Sequence, residues 1–142
     1  MNGHLWITGS SADRTAMGSV LFEPSGSILP GPAPPIHMAA HSLVKSPDGR
    51  FIYFIGGHSE FPSLSHTSRV FVFDTFTFKF APGPENIHNR FRSSVAAISI
   101  GGVPYLFVTG GLKFTSSFDI EVSAKTELLD ISKPDAVWIP GK

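Results

Sequence analysis

One arrangement recurs three times along this chain and limits what it can become. A short apolar run rich in β-branched and aromatic residues halts at glycine, a polar stretch follows, and two more short runs end in Pro-Gly. In the middle of the chain it reads FIYFIGG, then RVFVFDT, then FKFAPGP. Downstream it reads YLFVTGG, TELLDIS and AVWIPG; upstream it reads LWITGS, GSVLFEP and SILPGP. Runs of this make-up are strand material. Glycine ends them because it reaches positive φ, and proline because it has no amide hydrogen for a ladder. The first glycines of the three stops are Gly9, Gly56 and Gly110, separated by 56 − 9 = 47 and 110 − 56 = 54 residues. The apolar residues cluster in runs of four to six with no 3.6-residue period, so no helix is expected.

Composition agrees with many short strands joined by tight turns. Charged residues make up 15% of the 142, well below the roughly 25% of an ordinary soluble domain. That balance suits strands buried on both faces. Gly and Pro together number 14 + 12 = 26. Eleven basic residues balance eleven acidic ones with no basic run, which argues against nucleic acid or an anionic membrane as partner. No apolar run approaches the roughly 20 residues of a membrane span. The first residues lack the pattern of a signal peptide, so a cytoplasmic location is expected. With no cysteine there is no disulfide and no thiolate metal site.

A period near 50 built of short strands and a Gly-Gly stop is the pattern of kelch blades, and the chain resembles a kelch-repeat protein over nearly its whole length. The resemblance implies an all-β fold: kelch-type β-propeller blades, each a four-stranded antiparallel sheet, in an incomplete ring. The units expected are a partial first blade over residues 1–35, a second over 36–91 and a third over 92–142, with three, four and four strands. Gly56, Gly57, Gly110 and Gly111 then end second strands. Phe73 and Leu129 take the place of a family Tyr, and Phe80 and Trp138 that of a family Trp, all packing between blades. Arg90 matches a frequent basic position of the family, with His41 near the equivalent place in the second unit. Propellers close with four or more blades. Fewer than three here imply a fragment of a longer protein, a ring completed by self-association through open edges, or another open β-structure.

The resemblance implies a non-catalytic protein-interaction module, an adaptor or scaffold that binds protein partners through loops. The loops expected to gather on one face are 11–17, 58–68 and 112–125, with the connections 31–38 and 82–92. Expected partner-binding residues are His58, Glu60, Phe61, Arg69, Arg90, Arg92 and Lys113. Replacing Arg90 and Arg92 together is expected to weaken binding without unfolding. The alternatives are a fragment of a propeller enzyme and a carbohydrate-binding propeller, the latter with Phe61, Phe114 and Phe118 as platforms. No cofactor is expected. The glycine pairs do not continue as phosphate loops. His37 and His41 lack a third metal ligand. Asp13, Asp48, Asp74, Glu60 and Glu85 lie in or near turns, where carboxylates bond local amides.

Overall fold

The computed structural model describes residues 5–10, 17–35, 39–59, 65–66, 68–86, 88–115 and 119–141. Among them the fold is all-β, with fifteen strands and no helix. Three antiparallel sheets carry the architecture. The first is β1 (Leu5–Ser10), β2 (Met17–Phe22) and β3 (Ile28–Pro30), in that order. The second orders β4 (Ser42–Lys45), β5 (Phe51–Ile55), β8 (Val70–Asp74) and β9 (Lys79–Pro82). The third orders β10 (Ser94–Ile100), β11 (Val103–Thr109), β14 (Thr126–Asp130) and β15 (Ile139–Pro140). Three, four and four strands occur in the expected order.

The stretches read as long loops are partly ordered ribbons. β6 (His58–Ser59) pairs with β7 (Ser65–His66), and β12 (Leu112–Phe114) with β13 (Ile120–Val122). Strands of two or three residues are too short to carry a legible two-residue period. The expected inner strand at 39–45 begins only at Ser42, because Ala40 has φ +54 and breaks the run. Ala39 instead bridges His58.

Alternation along each strand sends its two faces to different neighbours. Tyr53, Ile55 and Val70 of the second sheet share one core with Leu106, Val108, Leu129 and Trp138 of the third. Phe54 and Phe73, on the opposite face of the second sheet, form a second cluster with Phe80 packed against it. Leu129 and Trp138 thus pack between the second and third sheets, whereas the described members of the Phe73 and Phe80 cluster all belong to the second sheet. The Trp138 indole donates to the Pro84 carbonyl at 2.7 Å, tying the outer strand of the third sheet to the connection leaving the second.

The Pro-Gly endings do equivalent work three times. The amides of Gly31, Gly83 and Gly141 donate to the carbonyls of Ser19, Val70 and Thr126 at 2.9, 2.8 and 2.8 Å. These bonds align the three units residue by residue.

Candidate functional site

The two ends of the sheets are built differently. The lower end holds hairpin turns. Gly101-Gly102 joins β10 to β11 with φ of +58 and +82, the left-handed pair that a tight two-residue hairpin needs. In the turn at 46–49 the Gly49 amide donates to the Ser46 carbonyl. Three carboxylates at this end are held below their ordinary range by local bonds. Asp48 accepts from the Ser46 hydroxyl and the Arg50 amide. Asp74 accepts chiefly from the Phe76 amide, and Asp130 from the Ser132 hydroxyl and then its amide. All three serve their own turns.

The upper end holds the glycine stops, the ribbons and the connection 83–93. Here the second glycine of each pair is dictated by space. A Cβ on Gly57 would stand 2.9 Å from the Ala39 carbonyl, and one on Gly111 2.9 Å from the Phe91 carbonyl. Both glycines also sit at positive φ, +104 and +94. The chain entering each inner strand therefore runs directly over the stop, and it is fastened by the bridges Ala39–His58 and Phe91–Leu112.

Arg90 completes this fastening. Its carbonyl accepts the Gly57 amide at 2.8 Å, so its backbone belongs to the second sheet. Its guanidinium reaches the third sheet, donating from Nη1 to the carbonyls of Lys125 at 2.8 Å and Gly110 at 3.2 Å. Nη2 forms an ion pair with Glu127 Oε2, and both side chains are wholly buried. Glu127 Oε1 also accepts the His88 amide at 3.1 Å. Arg90 is thus not the surface anchor expected of it: every donor is turned inward to hold two sheets together. His41 is not its counterpart in the second unit either. The bridges align Phe91 with Ala39, so Arg90 corresponds to Met38, outside the described residues, and His41 to Ser93.

One residue beyond the bridge, both units adopt the left-handed conformation at a residue with a side chain, Ala40 at φ +54 and Arg92 at φ +53. The Arg92 amide donates to the Ala40 carbonyl at 2.8 Å, and the Ser42 and Ser93 hydroxyls meet at 2.9 Å. Over this seam lies a shallow depression of about 430 Å³, lined by His41, Ser42, Arg92, Ser93 and Ser94 among others, and by no carboxylate. Arg92 is exposed and forms no ion pair among the described residues. A left-handed non-glycine residue costs on the order of 1 kcal/mol. Here the unfavourable conformation turns a cationic side chain toward a hydroxyl-lined hollow. A second cleft, of about 450 Å³, follows the seam between the second and third sheets. Its lining is largely apolar. Tyr53 is among it, and burial raises the phenol's pKa.

The other expected site residues divide. Arg69 is exposed at the upper end, where its carbonyl accepts the Gly56 amide at 3.1 Å. Lys113 stands on the β12–β13 ribbon, paired with Glu121 across it at 3.0 Å and half exposed. His58 is buried and corrects the expectation of a surface histidine. Its ring meets Phe91 edge-on at 5.0 Å and Phe114 at 6.0 Å. Phe114 is half-buried and stacked on Phe91 at 4.8 Å, so it offers no open platform for a sugar. Glu60, Phe61, Phe118 and His37 lie outside the described residues, which contain no group of three metal-ligating side chains. Nor do the described residues include a helix long and apolar enough to cross a membrane.

The structure of YjhT matches with a TM-score of 0.72 at 13% identity, covering 100% of this chain and 49% of that one. At that identity the likeness shows the fold alone. The chain spans about half the length of the solved structure it matches. No protein-family model and no curated protein matches the sequence.

Proposed function

We propose that the chain is a run of kelch-type propeller blades acting as a non-catalytic binding module, which takes a protein partner at its upper end. The observation that carries this is the placement of charge. Arg92 stands in a polar hollow and forms no ion pair among the described residues, with Arg69 exposed at the same end. Asp48, Asp74 and Asp130 are bound into turns at the other end. A hollow that holds a cation and hydroxyls and no carboxylate favours a partner that presents carboxylates, because an arginine fork pairs with a carboxylate through two parallel bonds. Rigid sheets presenting loops and ribbons at one end are the usual scaffold for such recognition.

The test compares proteins captured by the chain with those captured by an Arg69→Ala, Arg92→Ala variant. Both substitutions fall on exposed side chains, so the melting temperature is expected to hold while one specific partner is lost. A variant that keeps every partner would overturn the reading. So would turnover of a sugar substrate by the unaltered chain.

A further inference from the structure

The two end sheets each leave one apolar face outward, and the interior junction identifies what such faces take. The Pro-Gly bonds align Ser19, Val70 and Thr126. Val20 and Phe22 therefore hold the places of Phe71 and Phe73, and of Glu127 and Leu129. Leu128 holds the place of Val72. At the interior junction the second sheet offers Val70 and Val72, and the third receives them with Leu106, Val108 and Leu129. By the same alignment, the outward face of the third sheet is another offering face. Cross-strand pairing sets Phe107, Leu128 and Ile139 in one row on it, and none of the three belongs to either core cluster. The outward face of the first sheet is a receiving face, with Phe22 paired to Ile28, which is 60% exposed.

We propose that two copies of this chain pair head to tail, the third sheet of each seated on the first sheet of the other. An offering face and a receiving face on one molecule make a heterologous contact, which either closes or propagates. Two copies supply 2 × 3 = 6 sheets, within the roughly four to eight blades of closed propellers. The solved structure that shares the fold is about twice this chain's length. Closure as a six-sheet ring rests on the propeller reading above; the pairing of the faces rests on the packing alone.

The test uses the absence of cysteine from the chain. Ile28→Cys and Ile139→Cys change residues that are more than half exposed, so the fold is expected to stand. With a short bis-maleimide, the double variant should give a covalent two-copy species, and neither single variant should. Cross-linking of a single variant would mean that like faces meet, and would overturn the arrangement. Light scattering of the unaltered chain should give twice the chain mass. A monomer, a trimer or an open series would overturn it. Phe107→Asp should raise the dissociation constant of the pair by roughly a hundredfold; an unchanged constant would place the contact elsewhere. The Phe107→Asp monomer also separates this inference from the binding proposal, because its upper end is intact. Partner capture by that monomer would leave the binding proposal standing alone.

Discussion

At one pair of aligned places the second and third units carry different chemistry. At the later junction the pair is Arg90 and Glu127, both wholly buried and joined to each other. The aligned residues of the earlier unit are Met38 and Phe71. In sequence the place is ionic in one unit and hydrocarbon in the other, Met38 lying outside the described residues. The ionic version does something the other cannot. Through His88, Gly110 and Lys125 it fixes four backbone groups, including the connection between sheets. Buried ion pairs seldom stabilise more than well-packed apolar residues would, but breaking one is costly. The comparison therefore separates what holds the sheets together from what fixes their relative position.

The largest effect should come from breaking the pair on one side. Glu127→Ala is expected to lose about 3–5 kcal/mol in chemical denaturation, since it strands a buried guanidinium. Installing the earlier unit's solution, Arg90→Met with Glu127→Phe, should recover most of that loss. A double variant as unstable as the single would mean the two junctions are not equivalent.

Next in size are the glycines that both units share. Gly57→Ala and Gly111→Ala should each cost about 2–3 kcal/mol, because a Cβ at positive φ also meets a carbonyl. Gly102→Ala, at positive φ in open space, should cost nearer 1 kcal/mol. Equal losses at all three would show that the close approach is unimportant. Trp138→Phe should cost about 1 kcal/mol through the lost bond to Pro84.

Acid should act on both sheets alike. Asp74 and Asp130 are held below their ordinary value of 3.8 by turn bonds. Their contribution is full above that value and is lost as pH falls through the lower folded one. Near neutrality these two groups should therefore give the melting temperature no pH dependence. That temperature should fall with acid less steeply in the Asp74→Asn, Asp130→Asn variant than in the unaltered chain. The smallest effect is Lys113→Ala, whose exposed pair with Glu121 should contribute no more than about 0–1 kcal/mol.

The sheets were legible because short apolar runs and glycine stops are local signals. The pairing order of the three main sheets followed from them. Arg90 was misplaced because a buried arginine and a surface one look alike in sequence; only its partner separates them. That partner left a trace. Glu127 stands two residues before Leu129 and so shares its inward face, a charge where alternation demands a hydrocarbon. The left-handed turns at Ala40 and Arg92 left none, since neither residue type advertises that conformation.

The spacing between fastening points also divides the chain unevenly. From Gly31 to Ala39 is 39 − 31 = 8 residues, and from Gly83 to Phe91 is 91 − 83 = 8. From each first glycine to the residue whose carbonyl accepts the Pro-Gly amide the count varies: 19 − 9 = 10, 70 − 56 = 14 and 126 − 110 = 16. The unequal repeat lengths, 47 and 54, thus arise inside the units, and the step from one unit to the next is constant. Loop grafts and tags placed within residues 59–65 or 115–119 should leave the pitch of the array untouched. Adding even one residue between Gly83 and Phe91 would put the next sheet out of step with its neighbour.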